Sequence, residues 1–219
     1  MLALTDIWAI VPIKDLHDGK IRLSSVLTPD ERALLIEAML DDVLSAFAEY
    51  AGMRVLVVTG DVRVAEKAAQ LSMEPLIEAV CQGESAAVEA ATSHSIARGA
   101  GGALVVPADI PLLGAGDVAT VVQRAPAQGT LLVPAWDGRG TNAAVRRPAG
   151  LFPLRFGNDS FLPHRAAAES TGCPLVVMRN DQIALDLDSP VELRRFLEID
   201  RVTRTRRVLD TFNLERRLA

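Results

Sequence analysis

Apolar runs with no polar residue inside them alternate along this chain with segments whose apolar residues fall at helical spacing. Ile7-Trp8-Ala9-Ile10-Val11-Pro12 is one such run, and Leu104-Val105-Val106-Pro107 is another. A strand apolar on both faces has to be covered on both faces, as a central strand of a parallel sheet is. Further strands are expected at residues 53–59, 74–77, 130–135, 143–147 and 174–178, with a short extended piece at 183–187. Between the first two strands, Thr28-Pro29-Asp30-Glu31 has the cap, the proline and the acids of a helix start, and Leu35, Met39, Val43 and Phe47 continue it as a stripe. Helices are expected over 62–71, from the Gln82-Gly83-Glu84-Ser85 turn to near Gly99, over 117–124, from the loop at 156–161 to Gly172, and over 191–199. Strands and helices alternating in this way make βαβ units. The expected fold class is α/β, a three-layer sandwich around a mostly parallel sheet.

The 219 residues suffice for one large domain of this class, placed at 1–199. Residues 200–219 carry Arg201, Arg204, Arg206, Arg207, Arg216 and Arg217 and are expected as an appended helix, solvated or in contact with a second subunit, so a homodimer is among the expectations. The net charge of −5 argues against a general nucleic-acid binder. No apolar run approaches the ~20 residues that cross a membrane. The first residues lack the basic start of a signal peptide. Cys81 and Cys173 belong to no CxxC pair and fit a reducing compartment, so the expected location is the cytoplasm.

The chemistry is expected where strands end. Asp109 follows Val106-Pro107-Ala108 at the carboxyl end of the central strand, the edge where open α/β sheets bind ligands. A carboxylate among apolar neighbours is either a turn or cap residue or the partner of a cation, for which a divalent metal that also holds phosphates is the first candidate. In Leu185-Asp186-Leu187-Asp188, alternation aims both acids to one side, and two such carboxylates repel unless a cation lies between them. Asp188 has a competing use as the cap of the helix after Ser189-Pro190; Asp186 has none. With Asp109 they would give Mg²⁺ three oxygen ligands. Lys14, Lys20 and Arg22 follow the first strand, either as a solvated loop or as a cradle for a triphosphate. Gly138-Arg139-Gly140-Thr141-Asn142 and Gly157-Asn158-Asp159-Ser160 are ordinary turns or places where backbone N–H groups meet a small anion, with Gly157 and Ser160 suited to a phosphate. His17, His94 and His164 form no ligand pattern, although His164 lies close enough to the second loop to touch an acidic substrate. Trp8 and Trp136 read as packing residues, and the chain has no Gly-x-Ser-x-Gly elbow and no Walker lysine loop.

In combination these stretches resemble the phosphoenolpyruvate/2-phospho-L-lactate guanylyltransferases of deazaflavin coenzyme F-420 biosynthesis. The residues concerned are Val11-Pro12-Ile13-Lys14 with Lys20-Ile21-Arg22-Leu23, Val106-Pro107-Ala108-Asp109-Ile110-Pro111-Leu112-Leu113, Gly140-Thr141-Asn142-Ala143, Phe156-Gly157-x-x-Ser160-Phe161 and Ala184-Leu185-Asp186-Leu187-Asp188-Ser189-Pro190. The second of these alone is also similar to the molybdenum-cofactor guanylyltransferases. The resemblance implies a nucleotide-diphospho-sugar-transferase-like fold and transfer of GMP from GTP to a small phospho-acid, with release of pyrophosphate. It also implies Mg²⁺ on Asp109, Asp186 and Asp188, the acid at Thr141, Asn142, Gly157 and Ser160, and the nucleotide along Pro12, Gly83, Ser85 and Pro107. Lys14, Lys20 and Arg22, with Asp109, would be the catalytic groups. One departure stands out: the family's Gly-Leu-Asn-Ala turn is Gly83-Glu84-Ser85-Ala86 here, which leaves open which base and which acid are used. The alternatives are another acceptor such as 3-phosphoglycerate, another nucleotide, or a regulatory protein that binds nucleotide without chemistry.

Overall fold

The structure, a computed structural model, describes residues 5–13, 19–78, 83–157 and 159–218. Lys14, His17 and Cys81 lie outside the described residues. Seven strands, β1 (Ile7–Ile13), β2 (Val55–Thr59), β3 (Glu74–Ile77), β4 (Gly102–Val105), β5 (Gly129–Pro134), β6 (Thr141–Arg147) and β7 (Leu175–Val177), form one sheet in the order β3-β2-β1-β4-β6-β5-β7. The β1–β2, β1–β4, β2–β3 and β5–β7 pairs are parallel. β6 runs against both of its neighbours. The cause is local: the link from Pro134 to Thr141 is too short for the crossover that a parallel return requires. The mostly parallel sheet expected from the apolar runs is present.

Period-two alternation divides the side chains between two cores. Ala9 and Val11, Val55 and Val57, Leu104 and Val106, and Leu131 and Val133 face one side. Ile10, Leu56, Val58, Val105 and Leu132 face the other. The first core is covered by α1 (Pro29–Tyr50), α2 (Val62–Gln70), α4 (Ala115–Arg124), α7 (Pro190–Leu197) and α8 (Arg204–Asp210), and the second by α3 (Glu84–Ala97) and α5 (Phe161–Ser170). α1 begins as its sequence indicates, with Thr28 and Glu31 in a reciprocal capping box and Pro29 in the first turn.

Three expectations gain detail. Residues 183–187 are not one extended piece: Asp181–Ala184 form a single helical turn, α6, because the Asn180 side chain accepts from the N–H groups of Gln182 and Ile183. The alternation survives beyond it, with Leu185 and Leu187 buried and Asp186 and Asp188 on the opposite side. The helix after it is capped by Ser189 rather than Asp188, in a box closed by Glu192, so Asp188 is available for other contacts. The arginine-rich segment folds onto its own chain. Asp42 of α1 accepts from the backbone N–H groups of Arg204 and Thr205, Arg217 pairs with Glu31, and Leu209, Phe212 and Leu214 enter the first core. No helix among the described residues is long and apolar enough to cross a membrane.

The topology fixes where a ligand would sit. From β1 the chain builds outward through β2 and β3, then returns to place β4 on the other side of β1. The carboxyl ends of β1 and β4, which carry Pro12 and the 106–109 stretch, therefore open side by side at the switch point of the sheet.

Candidate active site

Asp109, Asp186 and Asp188 converge there, each with a carboxylate oxygen within 4.8 Å of the others. Asp109 arrives from the end of β4. The backbone N–H of Leu187 donates to the Asp109 carbonyl at 3.1 Å, which fixes the two acidic segments to each other. Lys20 Nζ donates to Asp109 Oδ2 at 2.6 Å and also to Asp188 Oδ1. Burial would lower the pKa of this lysine, but the charges and hydrogen bonds of the two aspartates outweigh it and hold the ammonium above its ordinary range. Asp186 has no such cation in contact among the described residues. Its burial and the charge of Asp109 push its carboxyl up to about 6, against a 3.0 Å hydrogen bond from Asn142 Nδ2 to Oδ1. Among the described residues, the buried Asp109 Oδ1 has no hydrogen-bond partner. Such an oxygen beside two further carboxylates is the donor set of an oxygen-ligated divalent cation, so these residues fit the Mg²⁺ expected from the sequence.

Two clefts meet at this cluster. One, of about 310 Å³, is lined by Thr141, Asn142, Gly157 and Ser160 and by Arg22, Arg139, Glu84 and Glu192. The other, of about 470 Å³, is lined by Pro12, Ile13, Gly19, Lys20 and Arg22. Pro107, Asp109 and Asp188 belong to both walls. The first cleft adds neutral hydrogen-bonding groups to these charged ones. The Thr141 N–H donates to Ser160 Oγ at 3.1 Å, and Thr141 Oγ1 lies 2.9 Å from His164 Nδ1. Gly157 has φ of +144°, a backbone conformation that side chains rarely adopt, and this bends the chain around the cleft. Arg139 and Asp159 pair across the mouth, and the Phe161 N–H donates to the Arg139 carbonyl at 2.8 Å.

Several expected site residues turn out to position others. Asn142 Nδ2 contacts the Ile183 and Ala184 carbonyls as well as Asp186, each at 3.0 Å, and so holds the α6 turn against β6. Ser85 Oγ accepts from the Phe156 N–H at 2.8 Å and ties the start of α3 to the Gly157 loop. Gly83 precedes α3 at φ of +95° and is not part of either cleft wall. His164 is 1% exposed, so it reaches the cleft through Thr141 and the Phe156 ring rather than directly. Trp136 is no core residue: at 39% exposed it lines the first cleft and stacks under Arg195. The sequence reading missed Glu192, Arg139 and Asp159 at the cleft. Glu192 was detectable as the acid of the Ser189 capping box; the Arg139–Asp159 pair depends on two loops 20 residues apart meeting in space.

The family described as Guanylyl transferase CofC like matches residues 7–215 of the chain. A phosphoenolpyruvate guanylyltransferase of Rubrobacter xylanophilus is 38% identical over 190 residues, 86% of this chain and 92% of that protein. A 2-phospho-L-lactate guanylyltransferase of Methanothermobacter thermautotrophicus is 35% identical over 185 residues, 84% of this chain and 81% of that one. A crystal structure described as a nucleotide-diphospho-sugar transferase from Desulfovibrio desulfuricans superposes with a TM-score of 0.78 over 95% of both chains at 18% identity, a likeness of fold.

Proposed function

The chain belongs to the CofC-like guanylyl transferase family, and from that premise we propose that it moves GMP from GTP to the phosphate of phosphoenolpyruvate or 2-phospho-L-lactate, with release of pyrophosphate, in the biosynthesis of coenzyme F-420. It is a nucleotidyltransferase. The Pro107-Ala108-Asp109-Ile110-Pro111 stretch supports a place beside the molybdenum-cofactor guanylyltransferases within that class. The observation that carries the reading is the carboxylate cluster at the seam of two clefts, since joining two phosphate-bearing substrates requires two sites that share one charge-neutralising centre.

The division of labour follows from the walls. Pro12, Lys20 and Arg22 border the cleft that takes the nucleotide, and Thr141, Gly157 and Ser160 border the one that takes the acid. The acceptor phosphate is already ionised at neutral pH, so its oxygen can attack the α-phosphorus without a general base. The difficulty is repulsion between two anions in a cleft that is itself rich in carboxylates. Asp109, Asp186 and Asp188 would hold Mg²⁺, which supplies Lewis-acid neutralisation of phosphate charge and a template for in-line geometry. Lys20, kept protonated by Asp109 and Asp188, places a fixed positive charge at the nucleotide side of the seam, where charge develops on the departing pyrophosphate. Thr141 and Ser160 hold the acid by hydrogen bonds and add no net charge.

The test is pyrophosphate release with Mg²⁺ and GTP, adding phosphoenolpyruvate, 2-phospho-L-lactate and 3-phosphoglycerate one at a time, then repeating with ATP, CTP and UTP. Release that requires GTP and one of the first two acids is the expected result and names the acceptor. Release only with 3-phosphoglycerate or another nucleotide would reassign the substrates, and nucleotide binding without release under every condition would remove the catalytic reading.

A further inference from the structure

His164 sits behind the acid cleft, outside the set of residues assigned to either substrate, and its two ring nitrogens have different partners. The Arg155 backbone N–H points at Nε2, 2.8 Å away, and Thr141 Oγ1 lies 2.9 Å from Nδ1. A backbone N–H can only donate, so Nε2 must present its lone pair. The ring is then neutral, and its single hydrogen is on Nδ1 and donated to Thr141. Burial, with the Arg146 guanidinium nearby, holds the imidazole down at about 4, in agreement with this geometry. The Phe156 ring and the imidazole meet in a T-shaped contact with centroids 5.2 Å apart.

The consequence passes to the cleft. Because Thr141 Oγ1 accepts from the imidazole, its own hydrogen is left to donate elsewhere. Ser160 Oγ likewise accepts, from the Thr141 N–H at 3.1 Å. Among the described residues neither hydroxyl donates to an acceptor, and both residues line the acid cleft. We infer that His164 is a positioning residue that, through its Nδ1 hydrogen, fixes the Thr141 hydroxyl as a donor toward the anionic oxygen of the acid substrate, with Ser160 set the same way by the Thr141 N–H. Two hydroxyls with one lone pair each engaged from behind and the hydrogen left for the cleft favour an oxyanion there. This inference rests on the assignment of the acid to the Thr141–Ser160 cleft.

The experiment combines kinetics with the protonation state of the ring. KM for the acid that supports turnover and KM for GTP are measured for His164→Ala, His164→Asn, Thr141→Val, Ser160→Ala and the His164→Ala/Thr141→Val pair. Losing one hydrogen bond to a charged group is expected to raise the acid KM about tenfold in His164→Ala and in Thr141→Val, with the double variant no worse than Thr141→Val alone. GTP KM stays within about twofold. His164→Asn, whose amide nitrogen can take the place of Nδ1, recovers most of the loss. In parallel, ¹⁵N spectra of the unaltered protein, assigned by the signals lost in His164→Asn, are expected to show a neutral ring protonated on Nδ1 from pH 8 down to 5. An Nε2-protonated ring, or one that titrates at an ordinary histidine pKa, overturns the inference whether or not the variants fold. So does a raised acid KM in Thr141→Val with none in His164→Ala, or losses that multiply in the double variant. An unchanged acid KM in both Thr141→Val and Ser160→Ala overturns the placement of the acid instead.

Discussion

The two ends of the acid cleft manage charge by opposite means. At the aspartate end, three carboxylates crowd one point, and full charges balance one another through Lys20. At the Thr141–Ser160 end, a neutral imidazole, two hydroxyls and the backbone N–H groups of Arg155 and Thr141 form a chain of hydrogen bonds with no ionised side chain in it. The first arrangement suits a centre whose charge must change as phosphates arrive and pyrophosphate leaves. The second suits recognition, where direction matters more than charge. Substitutions at the aspartate end should therefore act on turnover, and those at the hydroxyl end on affinity for the acid.

The largest expected effect is that of Asp109→Ala. It removes an oxygen that has no partner among the described residues and one of the two anchors of Lys20, and kcat should fall by about three orders of magnitude, in line with losing a centre of charge stabilisation. The core does not depend on this side chain, so the far-ultraviolet spectrum and melting profile should stay close to the parent. Turnover within tenfold of the parent in a folded variant would end the comparison, because the aspartate end would then have no catalytic part. Lys20→Met comes next, with an expected loss of about a hundredfold in kcat/KM for GTP and little change in acid KM. Equal losses for both substrates would mean that Lys20 serves the whole seam rather than its nucleotide side. Ser160→Ala should be milder, about tenfold in acid KM with kcat nearly unchanged. A fall in kcat instead would move Ser160 to the chemical side of the comparison.

The same division governs what could be read from the chain. Asp109, Asp186 and Asp188 were legible because an acid inside an apolar string is locally anomalous, and alternation across Leu185 and Leu187 alone puts Asp186 and Asp188 on one side. The sheet was legible for a similar reason, since uninterrupted apolar strands have few other places to go. The position of β6 between β4 and β5 was not legible, because nothing in residues 141–147 states which edge they join. At the hydroxyl end, single residues were found and their relations were not. Ser85 and Asn142 carry groups suited to a ligand, but their polar atoms are engaged by Phe156, Ile183 and Ala184, partners brought by tertiary packing. His164 shows in the sequence only as a residue close behind the Gly157–Ser160 loop, with nothing to name its partner. Its part depends on β6 placing Thr141 beside it from 23 residues away.

The smallest effect, and the most discriminating, is on stability against pH. Asp186 is raised in the folded chain to about 6, so between about pH 4 and 6, without added metal, the unfolded chain has released a proton that the folded chain keeps. Its contribution to stability is therefore lost as pH rises through that window. His164 is lowered to about 4, so between about pH 6.5 and 4 the unfolded chain takes up a proton that the folded chain refuses, and stability is lost as pH falls. The two slopes oppose each other, and the unaltered protein should show a shallow dependence from these groups over this range. Asp186→Asn, in the metal-free protein, should melt a few degrees higher than the parent at pH 7.5, because a charge forced onto a buried group beside Asp109 is gone. That advantage should vanish near pH 4, where the parent carboxyl is itself protonated. His164→Asn should do the reverse, removing the loss on acidification and leaving the Asp186 slope exposed. Melting temperatures at pH 4.5, 6.0 and 7.5 for the three proteins decide the matter. If Asp186→Asn gains nothing at pH 7.5, Lys20 already neutralises the whole carboxylate cluster, and the contrast between the two ends is one of geometry rather than of charge.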